Sequence, residues 1–400
     1  MTSGLKNASL VALLLAVGSP AFAQAPKISG LVQTWYTQMM DNNLRRNANA
    51  PFPDSSSSYY TLAPHNENGL YIRRIDLKAI GSVGDVEYEV FVDTALTGFP
   101  ILQDGYFKYK MPYNIELKVG QFKPLQTLEG PGSSAELMLA ERSMLARVFG
   151  DPRDRGIAAS IGFGDPKAFG GRFHVGFFNG QLKSNDANAQ KDIAARLEMN
   201  YGKEHSFGAY TLQGSTNVAD KGSLFGGAFQ GADAPTPAEV LDNKDATSNM
   251  GFYYRFQNDT YHAAFEFITG TLGRRYPSVG VGNAKREHLD QQFMGYVGTF
   301  GYALNKKHRL VLRYDYLNYN FGDKWYGNTN PYQFGGADYS PAYTETTLGY
   351  IHSLAENYRQ ACIRVNYIMR SKNFLQPDTR RGQTGEQGGD SLVVAFQVAF

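Results

Sequence analysis

The sequence predicts an all-β chain, a transmembrane antiparallel β-barrel of about sixteen strands with a long third loop folded into its interior. Three observations predict it. Apolar and polar residues alternate with a period of two along most of the chain. Long and tight connections between those stretches take turns. The closing residues "SLVVAFQVAF" (391–400) form one more alternating strand, with Leu392, Val394, Phe396, Val398 and Phe400 on one face. An unpaired edge carrying such a row invites aggregation. A barrel whose last strand pairs with its first has no edge.

Composition agrees. The 400 residues include 26 Tyr, 26 Phe and 43 Gly, a mixture that favours strands and tight turns. Mean hydropathy is −0.38, which taken alone would place the chain in water. Alternating faces hide a barrel from window averages, because each lipid-facing residue is followed by a lumen-facing one. The single Cys362 cannot close an internal disulfide, so burial or strand closure must hold the chain. A formal net charge of +2 gives no pull on nucleic acid. At the start, Lys6, an apolar run and Ala21-Phe22-Ala23 read as a signal peptide over residues 1–23, leaving 24–400 as the barrel domain.

The strands follow in order. "YIRRIDLKAI" sets Ile75, Leu77 and Ala79 against Arg74, Asp76 and Lys78. "VEYEVFVD" sets Val86, Tyr88, Val90 and Val92 against Glu87, Glu89, Phe91 and Asp93. "GYFKYK" and "NIELKVGQF" alternate in the same way, as do "DIAARLEMNY" and "RLVLRYDY" farther on. A soluble β-sandwich shares this pattern with its apolar faces turned inward, so the connections decide. After the first strand comes the long link 41–68; tight links "GSVG", "MPYN", "GDPKA", "GKEH", "QNDT", "ALNKKH" and "SLAEN" then alternate with the links 96–102, 124–154, 179–191, 215–248, 271–290, 320–341 and 370–389. All of the second set but 96–102 are longer, as outer-membrane barrels require of their outer loops.

On a barrel the charged rows face the lumen, because an Arg or Lys on the lipid side costs about 2–4 kcal/mol at mid-depth. The expected lumen cations are Arg74, Lys78, Lys108, Lys110, Lys118, Arg172, Arg196, Arg255, Arg309, Arg313 and Arg364, facing acids such as Glu87, Glu89, Asp93, Glu116 and Asp315. In the connection 124–154, "PLQTLEGPGSSAELMLAERSMLARVFGDPRD", Ser133 or Ser134 is expected to cap a short helix through "AELMLAERSML". So apolar a loop belongs inside the barrel, where Arg142, Arg147, Arg153 and Arg155 would reach the lumen.

The motifs "LYIRRIDLKAIGSVGDVEYEVFVD", "LQDGYFKYK", "LKVGQFKP", "LAERSM", "GDPRDRGIAASIGF", "FHVGFFNG" and "DIAARLEMNYG" occur in order over residues 70–202. That series resembles the phosphate-selective porin O and P family of Gram-negative outer membranes. The resemblance implies a trimeric, sixteen-stranded diffusion channel for small hydrophilic solutes, narrowed by its third outer loop and bearing arginine and lysine clusters. Arg73 and Arg74 match its paired basic position, with only Arg74 expected to face the lumen, and Lys123 matches the end of "VGQFK". The expected pore-lining and anion-binding residues are therefore Arg74, Lys78, Lys108, Lys110, Lys118, Lys123, Arg142, Arg147, Arg153 and Arg155. Glu87, Glu89 and Asp93 offset that positive field, so general diffusion and a preference for anions or phosphate both stand. Expected partners are the bilayer with its lipopolysaccharide, small solutes or anions, and further copies of the same chain. No nucleic acid, cofactor or metal is expected.

Two other classes compete. A barrel enzyme needs a nucleophile with its base; neither "GxSxG" nor "HExxH" is present, and His174 and His262 have no assignable Ser partner. An adhesion or receptor barrel would use outer loops such as "KWYGNTNPYQFGGADY". Cys362 is expected on the lumen face of the fifteenth strand as a packing residue.

Overall fold

The computed structural model describes residues 25–40, 69–95, 101–165, 167–180, 190–216, 245–272, 291–318, 321, 333–334, 337–338, 342–371 and 390–400. The expected signal peptide and the loop "KWYGNTNPYQFGGADY", except for two short pieces of it, lie outside these residues.

The strands are β1 (Lys27–Met39), β2 (Gly69–Val83), β3 (Val86–Asp93), β4 (Ile101–Met111), β5 (Ile115–Phe122) and β6 (Asp154–Gly164). They continue as β7 (Phe169–Phe178), β8 (Asp192–Tyr201), β9 (His205–Thr216), β10 (Asp245–Gln257), β11 (Tyr261–Leu272), β12 (Gln291–Ala303) and β13 (His308–Asn318). Last come β14 (Gln333–Phe334), β15 (Ala337–Asp338), β16 (Ala342–Ser353), β17 (Ala361–Arg370) and β18 (Ser391–Ala399). All but β14 and β15, which pair only with each other, form one closed barrel in which each strand lies beside its sequence neighbours. β18 returns antiparallel to β1, from Leu31 opposite Ala399 to Met39 opposite Ser391. Sixteen barrel strands therefore close as expected. Several boundaries differ by a few residues: β4 begins at Ile101 inside the connection expected over 96–102, β9 reaches Thr216 and β10 begins at Asp245 inside 215–248, and β11 reaches Leu272 inside 271–290.

The tight turns have local causes. Gly84 (φ 57°) closes β2–β3, and Tyr113 (φ 62°) with Asn114 (φ 57°) closes β4–β5. Positive φ at the first central residue, as at Gly84, or at both, as at Tyr113 and Asn114, is what tight hairpin turns need to match strand twist.

Exposure separates the two faces. On β18, Phe396 and Val398, and Phe400 just after it, are 45–66% exposed while Gln397 is 2% exposed. On β13, Leu310, Leu312 and Tyr314 point out, whereas Arg313 and Asp315 are buried inside. Greasy rows outside and ionic rows inside exclude the sandwich.

Two bulges change that alternation. The β1–β2 register shifts between Gln33 and Thr34, which leaves Arg73 as an extra residue beside Arg74. The β3–β4 register shifts between Phe91 and Val92, leaving Gln103 unpaired on β4. A bulge re-aims a side chain that strict alternation would send to the other face.

Candidate functional site

The site begins with the connection between β5 and β6. The helix expected through 135–145 does not form. Ser133 Oγ accepts the Ala135 N–H at 3.2 Å, but the turn it caps spans only Ser134–Glu136. A second, wider turn covers Ala146–Gly150, where the Asp151 N–H reaches the Ala146 carbonyl at 2.7 Å. Between them the backbone bonds to side chains of the barrel wall. Ala140 N–H donates to Asn366 Oδ1 at 2.7 Å and Met144 N–H to Asp315 Oδ1 at 2.7 Å. Arg364 Nη2 donates to the Leu137 carbonyl at 2.6 Å, and Arg313 Nη1 to the Glu141 carbonyl at 2.9 Å. Buried backbone groups must find partners, and these wall side chains displace the helix that local propensity favours.

Side chains of the same stretch pack on the inner wall. Met144, Leu145, Val148 and Phe149 join Tyr210, Tyr253, Ile268, Phe293, Val297, Leu317 and Tyr343 from β9–β13 and β16. Phe149 stacks on Phe293 with centroids 4.7 Å apart. Met138 and Leu139 meet Val311, Ile351 and Cys362, while Ala140 meets Trp35, Ile368, Val393 and Ala395. Cys362 thus lies on the inner face of β17, buried and apolar in company.

The charged residues form pairs. Glu141 receives Arg73 Nη2 at 2.7 Å and Arg74 Nη2 at 3.0 Å. Arg73 also lies over the Trp35 ring, 5.2 Å from its centroid. Both arginines therefore face inward, and the expectation for Arg74 alone is corrected: the bulge turns Arg73 inward too. Arg147 meets Glu345 at 3.1 Å, beside Arg313 and Arg370 on the same carboxylate. Lys123 meets Asp151 at 2.8 Å and the Gly130 carbonyl at 2.6 Å. Arg142 and Arg153 also reach Asp151, each at 3.5 Å, and Arg153 reaches Asp104 at 3.3 Å. On the facing wall Lys78 pairs with Glu89 at 3.0 Å, and Lys108 pairs with Glu87. Lys110 stands 68% exposed, 3.9 Å from Glu87. Lys118 lies over Tyr106, 4.3 Å from the ring centroid, and over Phe122 at 5.1 Å.

Arg155 is the exception. It sits opposite Gln121 on β6, in the row of Ile157 and Ile161, both exposed on the outward face. Asp154, its neighbour, is the inward one. Strand alternation overrides the expectation that Arg155 lines the pore.

Burial in the barrel shifts the loop's own titrations. It opposes ionisation of Glu141, but Arg74 and Arg73 overcome it and hold that carboxyl below the usual range. Asp151 behaves alike: burial raises it, and Lys123, Arg142 and Arg153 hold it well below. Burial pulls the Lys123 ammonium down to about 7, against the attraction of Asp151.

Sequence reasoning missed several of these residues. Glu141 stands in "LAERSM" with no partner legible beside it. Gln33 and Gln397 bond to each other at 2.8 Å across the β1–β18 closure. Their signal was weak: a single amide in the inward row of each of the first and last strands.

A closed antiparallel barrel, apolar outside and ionic within, defines an outer-membrane diffusion channel. The chain belongs to the family described as phosphate-selective porin O and P, whose sequence profile matches residues 57–310, and it is a porin of the Gram-negative outer membrane. Solved structures share its fold. The outer membrane channel DcaP of Acinetobacter baumannii has TM-score 0.59 at 13% identity, covering 96% of this chain and 99% of that one. The anion-selective porin from Comamonas acidovorans has TM-score 0.54 at 12% identity, covering 94% and 100%. The in-vitro folded OmpT of Vibrio cholerae, in its trimer form, has TM-score 0.54 at 10% identity, covering 94% and 99%. No curated protein matches the chain in sequence.

Proposed function

We propose that this porin passes small hydrophilic solutes with a mild preference for anions, catalyses no reaction, and works as a homotrimer. The connection 124–154 is its constriction. One observation carries the reading: that connection packs against β1, β9–β13 and β16–β18, takes up Arg196 of β8 at its own carbonyls, and leaves the charged inner faces of β3–β7 as the water path. The neighbours described as an anion-selective porin and as a trimer form support it.

The basic residues divide by role. Arg74, Lys123, Arg142, Arg147 and Arg153 are ion-paired where the loop meets the wall, so they position it. Lys78, Lys108, Lys110 and Lys118 line the path. Among the described residues Lys118 has no carboxylate within 4 Å, and Lys110 is the most exposed, so the anion bias rests chiefly on these two. Replacing both with Gln lowers the anion-to-cation permeability ratio, read as a shifted reversal potential under a salt gradient. An unchanged reversal potential in a conducting channel overturns that assignment. A silent wild-type bilayer favours the adhesion role instead, and turnover of ester or peptide substrates favours an enzyme.

A further inference from the structure

The loop is held by two different kinds of contact. Its second half, 143–150, sits in the apolar cluster on β9–β13 and β16. Its first half, 135–141, has apolar contacts at Met138, Leu139 and Ala140 and takes Arg313 on the Glu141 carbonyl. To these it adds a set of polar side chains on β2, β17 and β18, tied to Gln33 of β1; these are the strands at which the barrel closes on itself. Arg74 Nη1 donates to Gln33 Oε1 at 2.8 Å, and Gln33 Nε2 donates to Gln397 Oε1 at 2.8 Å. Arg364 Nη1 donates to the same Gln397 oxygen at 2.8 Å. From there the chain of bonds enters the loop backbone. Gln397 Nε2 reaches the Ala135 carbonyl at 3.1 Å, Arg364 Nη2 the Leu137 carbonyl at 2.6 Å, and Asn366 the Ala140 amide. The other end of the chain is Glu141, on Arg74.

These side chains are no ordinary lumen polar groups. Arg364 is fully buried, and Gln33, Asn366 and Gln397 are at most 2% exposed. Arg364 has no carboxylate within 4 Å among the described residues; its hydrogen bonds go to Gln397 and to loop carbonyls. Burying a guanidinium there is costly, and the only return the geometry provides is a fixed loop.

We infer that the closing seam is a clasp: Gln33, Arg364, Asn366 and Gln397, with Arg74, set the position of residues 135–141 and so the width of the pore. The clasp has two halves, since Gln33 and Gln397 come from strands at opposite ends of the barrel sequence. It is complete only once β1 and β18 have paired. The first half of the loop therefore docks after closure, while the second half has its apolar seat on strands already assembled. The pore-width part rests on the constriction assigned above; the docking part does not.

The protein carries its own reporter. Cys362 is the only cysteine in the sequence and lies fully buried beneath Met138 and Leu139 of the clasped half. Full-length Arg364→Met/Gln397→Leu channel is refolded and checked for the heat-modifiable folded band. Cys362 is then titrated with a small maleimide, and single channels are recorded. Expected are labelling faster than wild type by about tenfold or more, as local opening becomes easier, and a raised unitary conductance. Arg364→Lys, which keeps a donor, returns both part of the way. Folded channels that label as slowly as wild type overturn the clasp, even if they melt at a lower temperature. Faster labelling with unchanged conductance overturns its control of pore width. Should the double variant not fold, Asn366→Leu, which frees only the Ala140 amide, carries the same test. A wild-type channel that labels slowly but never conducts counts against the porin reading and leaves the docking result standing.

Discussion

Lys123 was legible in the sequence as the end of "VGQFK", but its protonation was not. Burial, aided by Arg142 and Arg153 nearby, brings it down to about 7 against the attraction of Asp151. An ammonium is charged below its pKa and neutral above it. The lumen therefore loses one positive charge as pH rises through about 7, and the anion-to-cation permeability ratio falls across that window. Reversal potentials at pH 6 and pH 8 check this, and Lys123→Gln flattens the dependence. Glu141 gives a second expectation. Replacing it with Leu leaves Arg73 and Arg74 without their carboxylate, at a cost of about 3–5 kcal/mol for a buried pair broken on one side. The drop in the denaturant midpoint of the folded barrel measures it. Neither residue's role follows from spacing, since Glu141 and its arginines are far apart in sequence and only the β1–β2 bulge aims both guanidiniums at it.

Among the elements, strands were read well and the loop poorly. A strand's pattern comes from the two media on its faces, so "RLVLRYDY" shows its orientation in its letters. "AELMLAERSML" has helical composition, yet Asn366, Arg364 and Asp315 claim its backbone groups first. The neck of that loop brings Gly130 and Gly150 together: a Cβ added at Gly150 would stand 2.7 Å from the Gln126 carbonyl oxygen and 2.8 Å from the Gly130 Cα. Backbone cannot yield as a flexible side chain does. Gly150→Val should therefore cost about 1–3 kcal/mol of overpacking and loosen the loop while the barrel persists. Protease cleavage within 124–154, with an intact heat-modifiable band, checks that expectation.

For the whole molecule the solvent arrangement governs. Leu348 stands midway along β16, 49% exposed on the outward face. Leu348→Arg should cost about 2–4 kcal/mol in a bilayer, read from unfolding in lipid vesicles. A charge added to the inner row, as Ser82→Lys at a half-buried position opposite Glu87, should cost far less. Closure itself explains why a long apolar last strand is tolerated: β18 spends its hydrogen bonds on β1 and β17 and its greasy face on lipid.

The sequence alone determined the barrel, its strand count and the side of most ionic residues, because each is written locally as a period of two punctuated by turns, and its ordered motifs over 70–202 carried the resemblance to the family. Tertiary structure alone decided which cations meet which acids, that Arg73 turns inward while Arg155 turns outward, and where the loop lies. Those outcomes depend on register shifts and on contacts between residues far apart in the chain, and neither leaves a periodic trace.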